Sequence, residues 1–279
     1  MKILVDFYFG VYLQSLVLTR ATNHTRNVVR HNMKSKMKET IAKKTKKFKF
    51  DKAGYYAIGL IALALLGFWP TYFSKFFDST ANFNFYFHFH FAMASLWIAL
   101  LIVQPILIKR KKLSIHRQTG KLSFIILPLF FVSVILLKHY RIGGEVSEGL
   151  GASLWLQLKD LVIIGVMFTI AMVNRRNMQI HARAMIATGI VFIEPTLGRF
   201  IILTLLPEPD FMLGLGITVA IIYALIISLI IIERKQTSGR WVFPLLLILF
   251  MVFHYLFFFQ VSFPLWDSIA TWFVRLPIT

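Results

Sequence analysis

Eight ionisable side chains stand where the surrounding residues are otherwise apolar. Lys159 and Asp160 interrupt the apolar run 154–173, and Glu194 and Arg199 lie around Pro195 in the run 184–206. His254 is about halfway along the run 241–263, among Phe250, Phe253, Phe257 and Phe258. His88 and His90 open the run 86–108, and His139 closes the run 122–137. An Arg, Lys or Asp in the centre of a bilayer costs at least about 2.5–3.5 kcal/mol on the insertion scale, so such groups usually face a bundle interior and mark function. With the runs alternating in direction, all eight fall in the middle-to-outer part of a membrane, and they come from five different runs.

Three chemistries suit this set. The first is a histidine-ligated haem-binding redox protein, in which two histidines on facing helices hold haem b axially. An outer site would pair His90 with His139 or His254, and an inner one would pair His116 with His181. Arg199, Lys159 or Arg183 would then meet the haem propionates. The second is a divalent-metal site built from His88, His90, His254, Glu194 and Asp160, which are suitable nitrogen and oxygen ligands for zinc. A bound water would be activated there for hydrolysis, although the chain has no His-Glu-x-x-His signature. The third is a proton-coupled transporter with Asp160, Glu194 and Arg199 along its path. The expected order is haem, metal, transporter.

Plainer roles compete with each. His116 and Arg117 in a basic loop serve as topology signals, and His139, beside Lys138, Tyr140 and Arg141, as an interfacial residue. Lys159 and Asp160 would form structural ion pairs, and His254 would be a hydrogen-bonded core histidine. Glu194 and Arg199 are five residues apart, a poor spacing for a direct helical pair, so each is expected to find partners on other helices.

Helical spacing sharpens the picture. His90, Trp97 and Gln104 are spaced by seven and line one face, whereas His88 points nearly the opposite way from His90. Pro195 has no backbone N–H and frees the carbonyl of Val191, which predicts a kink or local binding site. Gly198 beside it permits close helix approach.

The elements that must carry these residues follow from composition. Hydrophobic residues make up 57% of the 279 residues and charged ones 15%, against about 25% charged in soluble domains. The mean hydropathy is +0.69. The apolar residues gather into blocks of about 20, the length that crosses about 30 Å of hydrocarbon. The expected runs are 55–73, 86–108, 122–137, 154–173, 184–206, 212–232 and 241–263. The expected fold is therefore an all-α integral membrane protein, a seven-helix transmembrane bundle.

Basic residues set the orientation. One set of loops holds Lys109, Arg110, Lys111, Lys112, Arg117, Lys121, Arg175, Arg176, Arg183, Arg234, Lys235 and Arg240; the other holds Lys75, Lys138 and Arg141. Twelve against three places the amino end in the cytoplasm and the carboxyl end outside, as expected in a bacterial inner (plasma) membrane. The net charge of +19 is then read as attraction to anionic lipids at the cytoplasmic face, not to nucleic acid. No cysteine is present, which excludes disulfides, thiolate metal ligands, iron–sulfur clusters and cysteine nucleophiles.

Three domains are expected. Residues 1–52 form a basic amino-terminal tail, with two alternatives: a start placed too early, the true one being Met33 or Met37, or an extra weakly hydrophobic helix. Residues 53–265 form the seven-helix domain, and 266–279 a short extracytoplasmic tail. Oligomeric state is not set by the sequence.

The spacing of His88, of His116-Arg117 with Gly120-Lys121, and of His181-Ala182-Arg183-Ala184-Met185 followed by Arg199 resembles a family of uncharacterised multi-pass bacterial membrane proteins grouped under a domain of unknown function. Its pattern has an early membrane histidine, a His-Arg-x-x-Gly-Arg/Lys loop, and a later His-x-x-x-Met segment with an arginine downstream. The likeness runs from about Phe85 to Phe200. The chain departs from the family's aromatic version around His181, and Ile186-Ala187 replaces Ile-Arg, which removes any role for an arginine at 187. The resemblance implies the membrane architecture and the choice of residues, and no activity.

Overall fold

The computed structural model describes residues 53–279 except Glu148, together with Met33 and Lys36. The readings of 1–52 as a tail, a misplaced start or an extra helix lie outside the described residues.

The described residues form helices and no strand, as apolar sequence without a water-exposed face requires: in lipid, each backbone N–H and C=O must be satisfied within its own segment. The helices are α1 (Ala53–Phe68), α2 (Phe85–Lys109), α3 (Leu113–Gly120), α4 (Ser123–Ile142), α5 (Leu150–Val173), α6 (Met178–Val191), α7 (Ile193–Phe200), α8 (Phe211–Glu233), α9 (Val242–Phe258) and α10 (Pro264–Val274). α1 continues through a π-helical turn, Trp69–Phe73, and a short turn, Ser74–Phe77; α7 continues through a second π-helical turn, Ile201–Leu205. Joined in this way, six segments are long and apolar enough to cross a membrane: Ala57–Phe77, Phe85–Lys109, Leu113–Ile142, Leu150–Val173, Met178–Leu205 and Phe211–Glu233. The chain is thus a multi-pass, all-α membrane protein. α9 is equally apolar but only 17 residues long, which gives roughly 25 Å at 1.5 Å per residue.

Polar residues start several helices. Asn84 accepts from the backbone N–H of Tyr86, Asn177 from those of Gln179 and Ile180, and Asp210 from that of Leu213, so orphan donors at α2, α6 and α8 are capped. Gly143, with φ of 71°, closes α4 in the left-handed conformation. Pro195 interrupts the fifth span as expected: α6 ends at Val191, Phe192 forms the joint, and α7 resumes at Ile193.

The segment Met178–Leu205 is the most enclosed of the six. It packs on α5 through Ala171, Ala184 and Ala187, all fully buried. Small residues let membrane helices approach closely, which matters because lipid supplies no hydrophobic drive between them. Trp97, Ile163, Met167, Ile222, Phe243, Leu246 and Phe250 complete the core. Ile, Leu and Phe side chains elsewhere face outward, as a lipid-covered surface allows.

Two segments differ from expectation. Ser114–Lys121, expected as a loop, is mostly helical and leads directly into α4. The stretch 266–279, expected as a tail, contains most of α10, which packs on α5. Trp266 stacks on Trp155 at 3.9 Å; Trp155 donates to the Val261 carbonyl and Trp266 to the Gly151 carbonyl. Its amphipathic pattern is too short to register as a span.

α1 crosses α7 at Gly67, where an added Cβ would fall on the Thr196 carbonyl. Gly67→Ala is expected to force the two helices apart and lower stability by about 1–3 kcal/mol, the usual cost of overpacking. Gly59→Ala on the same helix, with open space around its Cβ position, should be neutral or stabilising. Parallel unfolding measurements in one detergent check both.

A candidate functional site of buried charges

Lys159 on α5, Glu194 on α7 and His254 on α9 come together inside the bundle, exposed by only 0, 6 and 2%. The Lys159 ammonium donates to Glu194 Oε1 and lies over the Phe250 ring, 5.5 Å from its centroid. The other carboxylate oxygen, Oε2, is 3.0 Å from His254 Nε2. His254 Nδ1 is 2.9 Å from the Tyr223 hydroxyl on α8. A carboxylate only accepts, so Nε2 carries the proton toward Glu194; in a neutral imidazole Nδ1 then accepts from the tyrosine. Lys159 Nζ and His254 Nε2 are 3.5 Å apart, but both are donors in this arrangement, and Glu194 holds them together.

Asp160 lies at the edge of this network. Its Oδ1 is 3.4 Å from Lys159 Nζ, yet among the described residues that oxygen makes no hydrogen bond. Lys159 therefore has one tight carboxylate partner and one looser one. Arg199 lies within electrostatic reach of Asp160 and of His90. Its guanidinium stacks on Phe68 at 4.6 Å, and its Nη1 donates to the Pro195 carbonyl at 3.0 Å.

The remaining sequence-predicted residues are placed separately. His88 faces Tyr72, 2.9 Å from its hydroxyl, while His90 faces α4, 3.2 Å from Ser133 Oγ, so the two diverge as their spacing requires. Gln104 turns toward α3, and with its amide oriented to satisfy its neighbours it donates to His116 Nδ1 at 2.5 Å. His139 pairs through Nδ1 with Thr279 Oγ1 and meets Phe273 edge-on. His181 donates from Nδ1 to the Ala171 carbonyl at 2.9 Å.

Of the five expected metal ligands, Glu194 and His254 touch and Asp160 is nearby, but His88 and His90 belong to other contacts. Among the described residues no three His, Asp or Glu side chains are grouped to hold a metal ion. The charge that a metal would supply between the acids is carried by the Lys159 ammonium. For an outer haem, both His254 nitrogens are already engaged; in the alternative pair, His90 Nδ1 faces Ser133 and His139 Nε2 is buried without a hydrogen bond among the described residues. The inner histidines, His116 and His181, are each anchored through Nδ1.

A second buried pair escaped the sequence reading. Arg183 on α6 and Glu233 at the end of α8 are exposed by 0 and 1%, with Nε 2.5 Å from Oε2. Arg183 Nη1 also donates to Gln179 at both its backbone and side-chain oxygens. The available signal was a single acid in a connection otherwise made basic by Arg234, Lys235 and Arg240. Tyr223 was missed as well, because a tyrosine in an apolar run reads as ordinary packing.

Removing one partner of a buried pair strands the other charge, typically at a cost of about 3–5 kcal/mol. Lys159→Met is expected to destabilise by that amount, and Lys159→Met with Glu194→Gln to recover at least half of it. A double-mutant cycle of unfolding free energies in mixed micelles gives the coupling; additive losses would show that the pair does not interact.

No family model, no curated protein and no solved structure matches the chain, so its function must be read from this arrangement of charges.

Proposed function

We propose that the chain is a proton-coupled membrane carrier in which Glu194 is the proton-binding carboxylate and His254 and Lys159 govern its loading. The observation that carries this reading is the buried Lys159–Glu194–His254 network, spread over three helices of an otherwise apolar bundle. Intramembrane ionisable groups facing each other are the usual components of proton relays.

The contacts support a proton path. A proton delivered to His254 Nδ1 from the Tyr223 side releases the Nε2 proton to Glu194 Oε2. The products are a neutral imidazole with its proton on Nδ1 and a neutral glutamic acid. Lys159 then loses its charged partner and turns to Asp160, its other carboxylate neighbour at 3.4 Å. Because Glu194 sits just beyond the Phe192 joint, this exchange of partners acts on a helix already broken at that depth. Two discrete arrangements of one lysine provide the bistable element that coupling requires.

The carrier would be a seven-helix inner-membrane protein, with α9 as the seventh crossing, the amino side cytoplasmic and the basic loops against anionic lipids. The imbalance of basic residues between alternate loops supports this orientation. The haem reading retains the anchoring of His116, His181 and His139 through Nδ1, which would leave Nε2 of each to meet an axial iron position.

Three measurements test these readings. Proteoliposomes loaded with pyranine and given an inward proton gradient should acidify when one of a panel of organic acids, amino acids or sugars is added. Glu194→Gln should lower that rate at least tenfold; wild-type rates in the variant, or no response to any solute, would overturn the proposal. The chain has no cysteine, so single cysteines at Lys112, Arg176, Glu145 and Glu208 report topology cleanly: the first two should react only from the cytoplasmic side and the last two only from outside. An absorption spectrum of the purified protein should lack a Soret band that sharpens on reduction, and its presence would return the inner histidines to the haem reading.

A further inference from the structure

Arg199 has a donor edge without an acceptor. One face of its guanidinium is covered by Phe68, and Nη1 is bound to the Pro195 carbonyl. Among the described residues, Nε and Nη2 make no hydrogen bond and no carboxylate comes within ion-pair distance. Those two N–H groups form the side-on edge of the guanidinium, the parallel fork that matches the two oxygens of a carboxylate. An arginine in a membrane-length helix with this edge unmatched is costly unless something else meets it.

The surroundings hold the edge in place. The close crossing of α1 and α7 at Gly67 sets Phe68 against Arg199. Immediately after Phe68 and after Phe200, both helices pass into π-helical turns, a distortion frequent at functional sites. His90, Asp160 and Arg141 are within electrostatic range of the guanidinium, none of them in hydrogen-bond or ion-pair contact with it. Two guanidinium groups and a single aspartate leave the neighbourhood short of negative charge.

We infer that Arg199 is the anion anchor of the carrier and that its substrate is a small organic carboxylate, bound side-on at Nε and Nη2. This rests on the carrier reading above and gives it a substrate class. Asp160 links the two sites. While Lys159 is paired with Glu194, Asp160 directs its charge toward Arg199 and opposes an incoming anion. Once Glu194 takes a proton and Lys159 turns to Asp160, that opposition falls. Proton and carboxylate therefore favour each other, and they move in the same direction.

Binding to the full chain in detergent tests the inference, with benzoate and acetate as probes, inorganic phosphate and chloride as comparators at equal ionic strength, and thermal shift as readout. Benzoate or acetate should stabilise the protein saturably. Arg199→Lys, which keeps the charge but loses the fork, should weaken binding about tenfold, and Arg199→Ala should abolish it. Size-exclusion profiles identify any variant that has not folded, in which case Arg199→Lys alone decides. Unchanged affinity in Arg199→Lys, phosphate or chloride binding as tightly as the carboxylates, or no carboxylate response would each overturn the assignment. Glu194→Gln, which mimics the neutral acid, should bind benzoate more tightly than wild type, and weaker binding would overturn the coupling. Carboxylate binding through Arg199 without proton uptake would sink the carrier reading and leave the anion site standing. Proton uptake driven by another solute, with no carboxylate binding, would sink the anion site alone.

Discussion

The Lys159–Glu194 pair is the constraint around which the bundle is arranged. Each charge costs at least about 2.5–3.5 kcal/mol to place in hydrocarbon. Two unit charges about 4 Å apart regain roughly 4 kcal/mol at the effective dielectric of a protein, which does not cover both placements. The balance must come from further contacts, and these fix the neighbours: His254 on the second carboxylate oxygen, Tyr223 behind the imidazole, and Phe250 beneath the ammonium. Satisfying one pair thus recruits α5, α7, α8 and α9. Replacing such a buried pair by well-packed apolar residues is often neutral or stabilising, so stability is a weak account of these residues, and the proposed carrier role gives them another.

The broken helix α6–α7 and the unbroken α8 are joined twice. Glu194 meets Tyr223 through His254, and Arg183 meets Glu233 directly. The Phe192 joint lies between the two attachment points. A shift at one level can be absorbed by the joint or transmitted to the other, because neither ion pair can slide gradually: each is made or lost. This is the mechanical basis on which an event at Glu194 could alter the opposite end of the bundle.

The sequence made the elements legible because hydrocarbon imposes a length and an apolar composition on each span, and the polar exceptions stood out against them. Six of the seven expected runs correspond to membrane-length helices; α9 falls short because its helix runs only from Val242 to Phe258, capped by Trp241 and Phe259. The depth of Lys159, Glu194 and His254 was legible for the same reason. Their partnership was not: 35 residues separate Lys159 from Glu194, and 60 separate Glu194 from His254. Helix rotation and packing order decide which faces meet, and apolar runs as uniform as these carry little rotational signal. Spacing succeeded only within a helix, where His88 and His90 diverge and where His90, Trp97 and Gln104 share a face. Glu233 was hidden by its basic neighbours, and α10 by its brevity.

Asp160 shows why proximity alone does not define a pair. It is adjacent to Lys159 in sequence and 3.4 Å away in space, yet Glu194 takes the hydrogen bond. Neighbouring residues on a helix diverge by about 100°, so Lys159 must bend toward Asp160, whereas Glu194 faces it across the α5–α7 contact. The difference between the two partners has to be modest for the lysine to exchange them. Moving a two-state equilibrium from 1:99 to 99:1 takes about 5.5 kcal/mol, and neutralising Glu194 removes an interaction of that order from one side. An aspartate held near the lysine but not hydrogen-bonded by it provides a second resting place for the ammonium. In the proposed carrier, that partner would let a proton loaded on Glu194 redirect the charge of Lys159 without stranding it in the bundle.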